Sequence, residues 1–218
     1  MNTSGVMFDW DGVLLDSLGA SFNVYNKIFA KLGVRQLTKD EFLESQSPNW
    51  YDFYRKIGLP ERHWREADAD WLRLYESEKP DLHKDALSCL TTLKDHGFTL
   101  ALVSNGSKAR IGEELERLKV RSFFNSVEYG ATEEHLKPSP YMLEKTLAKL
   151  GMGPQETVYV GDSPADIQAA KNAGVTSIAL ARGPIEVDRL SAENPDYIFG
   201  GLDEVTGFLT DGAVMTTR

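Results

Sequence analysis

Cysteine is nearly absent: Cys89 is the only one in 218 residues, so no internal disulfide can form and a reducing cytoplasm is the expected home. Cys89 sits in the apolar pattern of Ala86, Leu87, Leu90 and Leu93 and is expected to be a small buried residue. No apolar run approaches the ~20 residues that span a bilayer, and the opening MNTSGVMFDW has neither the basic end nor the apolar stretch of a secretory leader. Basic charge is scarce: 24 Lys and Arg stand against 33 Asp and Glu, a net charge of -9. A phosphate-rich polymer or an anionic membrane would be repelled over most of such a surface, so neither nucleic acid nor membrane is an expected partner. Histidine is also sparse, and no Cys/His cluster offers zinc a home. Repeats, low-complexity tracts and Gly/Ser linkers are lacking too.

What is present is alternation. Strand-like apolar runs recur at Val6–Phe8, Leu100–Val103, Val127–Tyr129, Val158–Val160, Ser177–Leu180 and Tyr197–Phe199. Between them the 3.6-residue period predicts helices over Asp85–His96, Ala109–Leu118, Pro140–Leu150 and Pro164–Ala173, three of them closed by Gly97, Gly151 and Gly174. Strands alternating with helices give an α/β fold, a doubly wound parallel sheet of Rossmann-like type. The stretch between the first two strands is far longer than one crossover helix needs, and its pattern is helical. Leu18, Phe22, Tyr25, Phe29 and Leu32 form one stripe, Thr38 caps a segment running through Phe42, and Trp50–Ile57 and Pro60–Tyr75 read as further helices. The expected organisation is a core of residues 1–16 and 81–210, an inserted helical cap of residues 17–80 with hinges near Ser17 and Glu78–Asp81, and a flexible tail of residues 211–218.

Open parallel sheets carry their sites at the carboxyl ends of the strands. There the chain offers Asp9, Ser104, Lys137 and Asp162. Asp9 and Asp11 in FDWDGVLLDS stand two apart, with Gly12 permitting a tight turn that aims both carboxylates at one mouth. Such a pair can divide labour, one carboxylate staying ionised while the other holds a proton, although an isolated Asp-x-Asp also fits simple turn capping. Ser104, Asn105 and Gly106 offer a hydroxyl and N–H groups before a helix, which suits a phosphate cradle or an ordinary N-cap. Lys137 is held extended by Pro138, and Asp162 and Asp166 of GDSPAD lie at a helix start. Four carboxylates in one mouth would repel unless a divalent cation and a lysine compensate, and oxygen-only ligands suit Mg²⁺.

In this order the motifs DWDGV, SNG, Lys137 and GDSPAD resemble the haloacid dehalogenase superfamily, in its phosphatase branch with a helical cap, similar to phosphoglycolate phosphatases. The resemblance covers the core motifs and the inserted cap. It implies that Asp9 forms an aspartyl-phosphate, and that Asp11 protonates the leaving oxygen and then activates water. It further implies that Ser104 and the Asn105 N–H bind the phosphoryl oxygens and that Lys137 neutralises developing charge. Asp9, the Asp11 carbonyl and Asp162 would hold Mg²⁺, with Asp166 in support.

The expected activity is hydrolysis of a small phosphorylated metabolite such as phosphoglycolate or a sugar phosphate. The second aspartate disfavours dehalogenation. The resemblance leaves open a sugar-phosphate mutase, whose cap histidine is replaced here by Ser21, or a pyrophosphatase. Lys27 and Lys31 read as the polar face of the first cap helix rather than as Schiff-base lysines. A phosphoaspartate signalling module or a regulatory protein is the reading outside enzymology, and Asp11 argues against it, since a base beside an acyl phosphate promotes hydrolysis. In the cap, SQSPNWYDFYRK is the expected specificity segment, with Gln46, Asn49, Trp50 and Arg55 as candidate contacts, and Trp10 is expected to shape the pocket. Sequence leaves monomer and dimer equally open.

Overall fold

Alternation within the strands decides the architecture. In the computed structural model, which describes residues 3–47, 50–130 and 132–214, β1 (Gly5–Phe8) sends Val6 and Phe8 to one face of the sheet and Met7 to the other. An inserted unit follows with α1 (Leu18–Lys31), α2 (Lys39–Ser45), α3 (Trp50–Lys56) and α4 (Trp64–Glu78). The chain then continues as α5 (Ala86–Asp95), β2 (Thr99–Ser104), α6 (Lys108–Arg117), β3 (Ser126–Tyr129), α7 (Tyr141–Leu150), β4 (Thr157–Gly161), α8 (Pro164–Asn172), β5 (Thr176–Leu180), α9 (Pro184–Ser191), β6 (Tyr197–Phe199) and α10 (Leu202–Val214). The chain divides into two compact units, one of residues 1–15 and 82–218 and the other of residues 16–81.

In the first unit the strands are all parallel, in the order β3-β2-β1-β4-β5-β6. Leu100, Leu102, Val158, Val160, Ile178 and Leu180 join Val6 and Phe8 beneath α5, α6 and α10. Ala101, Val103 and Tyr159 join Met7 beneath α7 and α8, and Ala179 meets Ile167 of α8 and Leu190 of α9. Burial on both faces explains why the strands read as continuous apolar runs. This is the doubly wound sheet that the alternation predicts, and all six predicted strands are present. Cys89 is buried in α5, and its thiol is pushed up to about 11 by that burial. The helices α9 and α10 are not among the predicted helices. The helix α10 buries Val205 and Leu209, its Thr206 and Thr210 hydroxyls bond back along the helix, and it runs to Val214; the rest of the tail expected to be flexible, residues 215–218, lies outside the described residues. Among the described residues no helix is long and apolar enough to cross a membrane.

The second unit is held by its aromatic side chains. Tyr25 of α1 meets Phe29, Phe42, Phe53, Tyr54 and Trp71 with ring centroids 4.6–6.3 Å apart. The predicted stripe is shifted in emphasis: Val24 and Ile28 are buried with Tyr25 and Phe29, whereas Leu18, Phe22 and Leu32 are half-buried. Thr38 does cap α2, accepting from the Glu41 N–H while Glu41 accepts from the Thr38 N–H. The segment read as one helix from Pro60 begins instead as a 3₁₀ turn over Glu61–His63 before α4. Lys27 pairs with Glu78 at 2.5 Å, and Lys31 with Glu66 and Asp70, as a polar helix face would.

Candidate active site

Strand order reverses on either side of β1, the first strand laid down, with β2 to one side and β4 to the other. Side chains that follow β1 and β4 therefore meet at the carboxyl edge, where such sheets form their crevice. Asp9 is the first residue past β1, and its N–H still bonds to Val160 O of β4 at 2.9 Å. The chain then turns sharply, with the Leu14 and Leu15 N–H groups both reaching Trp10 O. Gly12 has φ +75, and a Cβ there would lie 2.0 Å from Asp162 Oδ2. Glycine is thus required twice over, by the backbone and by the approach of the carboxylate.

Asp9 is 8% exposed, and Lys137 Nζ stands 2.9 Å from its Oδ1. Lys137 is itself buried and also reaches Asp166 Oδ1 at 2.6 Å and the Tyr159 hydroxyl at 2.8 Å. Burial alone would pull this ammonium down, but Asp166 and Asp9 outweigh it and hold Lys137 above the ordinary lysine range. Asp9 is pushed up to about 7, first by burial and further by the charges of Asp166 and Asp11, with Lys137 opposing. Asp162 is driven well above the ordinary aspartate range by burial and by Asp166 and Asp9, against Arg189 and Lys137.

One carboxylate oxygen from each of Asp9, Asp162 and Asp166 falls within 4.8 Å of the others. The covered Asp9 Oδ1 is met by the Lys137 ammonium at 2.9 Å, one lysine among three carboxylates. A buried carboxylate oxygen so placed, beside two more carboxylates, is a donor set suited to a hard cation. The residues present therefore fit a metal. Asp166 is otherwise fully engaged, since its Oδ1 accepts from Lys137 and Tyr159 and its Oδ2 from the Ser163 N–H and hydroxyl. Its capping box with Ser163, together with Pro164, starts α8 and fixes the carboxylate at the same stroke.

Ser104 ends β2 and is 2% exposed. Its hydroxyl accepts from the Gly106 N–H at 3.2 Å, and the N-cap of α6 is Ser107 instead. The capping explanation for Ser104 therefore falls, leaving it at the carboxyl end of β2, the strand beside β1. Asn105 has a role that spacing does not reveal: its Oδ1 accepts the Lys137 N–H at 3.1 Å and so ties the lysine's loop to the end of β2.

Asp11 stands apart from the three-carboxylate cluster. Its two oxygens accept from the Arg110 guanidinium at 3.0 and 2.6 Å. Arg110 also meets the buried Glu114, which in turn accepts from the Trp10 indole N–H at 2.7 Å. Burial raises Glu114, and Arg110 opposes the rise. Trp10, expected to shape the pocket, is wholly buried in the core beneath the sheet's α6 face. Arg110, Glu114 and Tyr159 were not foreseen, because an Arg/Glu pair four apart on a helix reads as a solvated ion pair and a strand tyrosine reads as core.

The cap candidates are engaged within their own unit. Arg55 binds Asp52 at 2.6 Å and lies over the Trp64 ring. Gln46 Nε2 donates to Phe42 O, and Gln46 O accepts from Lys56. Asn49 and the Trp50 side chain lie outside the described residues.

With this geometry in hand, comparison with known proteins places the chain. The model of the haloacid dehalogenase-like hydrolases matches residues 6–180, and the chain belongs to that family. It is similar to the pyrophosphatase PpaX of Anoxybacillus flavithermus, 28% identical over 96% of this chain and 98% of that protein. It is equally similar to the phosphoglycolate phosphatase of Aquifex aeolicus, 29% identical over 88% of this chain and 90% of the other. Among solved structures, a haloacid dehalogenase-like family hydrolase from Streptococcus pneumoniae superposes with a TM-score of 0.84 at 20% identity, covering 95% of this chain and 99% of that one, a likeness of fold.

Proposed function

We propose that the chain is a Mg²⁺-dependent phosphatase acting on a small phosphomonoester of the phosphoglycolate or sugar-phosphate class, with Asp9 as nucleophile. The observation that carries this reading is Asp9 itself: a buried carboxylate at the end of β1, with Lys137 Nζ at 2.9 Å and the carboxylates of Asp162 and Asp166 beside it. Asp9, Asp162 and the Asp11 carbonyl would hold the Mg²⁺, which when bound neutralises the carboxylates and the phosphoryl group.

The chain's own residues do the rest. An Asp9 oxygen forms a bond to phosphorus as the ester P–O bond breaks, and Asp11 gives its proton to the departing oxygen. Asp11, now a carboxylate, takes a proton from water as the water oxygen bonds to phosphorus, and the Asp9–phosphorus link breaks to leave inorganic phosphate and free Asp9. Lys137, fixed by Asp166, Tyr159 and the Asn105 side chain, balances the negative charge that builds on the phosphoryl oxygens. The Ser104 hydroxyl and the Asn105 N–H would bind those oxygens.

The likeness to PpaX gives pyrophosphate a place as second substrate candidate. Phosphate release should be measured from phosphoglycolate, sugar phosphates and pyrophosphate, with Mg²⁺ and with EDTA, for wild type and Asp9→Asn. Metal-dependent turnover abolished in Asp9→Asn is the expected outcome. A folded wild-type protein that binds Mg²⁺ yet turns over none of these refutes the reading.

A further inference from the structure

Four side chains close a ring around the second aspartate. Trp10 and Asp11 are consecutive on the turn after β1, and Arg110 and Glu114 are one helical turn apart on α6. The indole N–H donates to Glu114 Oε2 at 2.7 Å, Arg110 Nη1 reaches the same carboxylate at 3.1 Å, and the other edge of the guanidinium grips both Asp11 oxygens at 3.0 and 2.6 Å. Such a fork fixes direction as well as distance, because two parallel N–H bonds allow the carboxylate one orientation. The anchoring end of the ring is out of solvent, with Trp10 fully buried, Glu114 7% exposed and the Arg110 side chain 15%, whereas the Asp11 side chain is 36% exposed. Gly106 makes room for it, since a Cβ there would come within 2.3 Å of Arg110 Nη2.

We infer that Arg110 is a positioning residue for Asp11, and that Glu114 and Trp10 hold Arg110 in place for that task. The inference rests on the phosphatase reading, in which Asp11 delivers a proton to the leaving oxygen. It accounts for a half-buried arginine shared between two carboxylates, and for an indole between the two aspartates. A hydrocarbon ring would fill the core equally well, but only an N–H can hold Glu114.

Help from a general acid matters in proportion to how poor the leaving group is. An alkyl phosphate needs the proton; p-nitrophenyl phosphate, whose phenolate departs unaided, needs it little. Single-turnover phosphorylation of Asp9 should therefore be followed with both esters in wild type, Arg110→Gln, Arg110→Lys and Trp10→Phe. In Arg110→Gln the alkyl-ester rate is expected to fall about tenfold or more, the scale set by misplacing a reacting group, while the aryl-ester rate stays within about twofold. Arg110→Lys should recover part of the loss, and Trp10→Phe should show a smaller loss with the same ester selectivity. Adding Trp10→Phe to Arg110→Gln should cost little more, because both act through one ring. Equal losses on both esters in Arg110→Gln and Trp10→Phe would reduce the ring to a structural brace and overturn the inference, as would no loss on either. Wild type that phosphorylates Asp9 with neither ester would instead overturn the phosphatase reading itself, and the inference with it.

Discussion

Metal binding to this site should release protons. In the metal-free protein burial and neighbouring charge push Asp9 up to about 7 and drive Asp162 well above the ordinary aspartate range. Both must be carboxylates to bind a cation, so each proton present must leave as the metal enters. With a value of about 7, Asp9 is half protonated at pH 7 and about nine-tenths protonated at pH 6. On this group alone the apparent Mg²⁺ affinity should fall about fivefold between those pH values, or about 1 kcal/mol. Protonation of Asp162 would steepen the fall. From pH 7 to 8 Asp9 itself contributes less than about twofold. Isothermal titration with MgCl₂ in buffers of different ionisation enthalpy reads both quantities at once, the affinity and the number of protons released. An affinity independent of pH from 6 to 8, with heats that do not depend on the buffer, would show that the carboxylates are already ionised and refute the argument. Asp162→Asn should weaken binding outright and leave a proton release of about one half or less at pH 7, that of Asp9 alone.

Two further outcomes follow from geometry elsewhere in the first unit. Gly12→Ala places a methyl group 2.0 Å from Asp162 Oδ2 at a φ of +75; it should lower stability by about 1 kcal/mol or more and weaken Mg²⁺ binding at least about tenfold by displacing a ligand, and unchanged affinity would mean that Asp162 has other room. Asp85 accepts both Arg182 amines, at 3.0 and 3.1 Å, and the Leu202 N–H at 2.8 Å; burial pushes its carboxyl up, but these donors outweigh it and hold the group below the ordinary range. A lowered carboxylate adds stability that is complete above the unfolded value near 4 and lost as pH falls through the folded one. Asp85→Asn should therefore cost about 2 kcal/mol at pH 7 in urea unfolding, with the gap from wild type narrowing below about pH 4. A gap of constant size would mean that charge plays no part.

The difference between what the sequence announces and what only the structure discloses has a physical cause. Asp9, Asp162 and Asp166 are legible because each stands directly after a strand or at a helix start, where an ionisable group in the sequence has few purely structural explanations, and Lys137 because Pro138 follows it in the loop between β3 and α7. The central strands are legible because burial on both faces removes polar residues from their middles, as at Leu100, Ala101, Leu102 and Val103. The helix α9 is not, since among its residues only Leu190 is buried and one apolar contact makes no period. The residues that aim the chemistry are hidden for a related reason. Arg110 and Glu114 occupy positions where charge is ordinary, and only long-range packing, 99 residues to Asp11 and 104 to Trp10, makes them unusual. Tyr159 is read as core and is core, yet its hydroxyl contacts both Lys137 and Asp166. Trp10 shows the same limit from the other side: its position between two aspartates suggests a pocket, whereas its indole is spent on the Glu114 carboxylate. A motif thus marks the carboxylate and ammonium atoms that the fold gathers at Asp9, Lys137, Asp162 and Asp166, because a charge at those places on the chain is restricted in residue type. The side chains that orient those atoms are chosen by contacts distant in sequence, and any residue type able to make the contact from another element would serve.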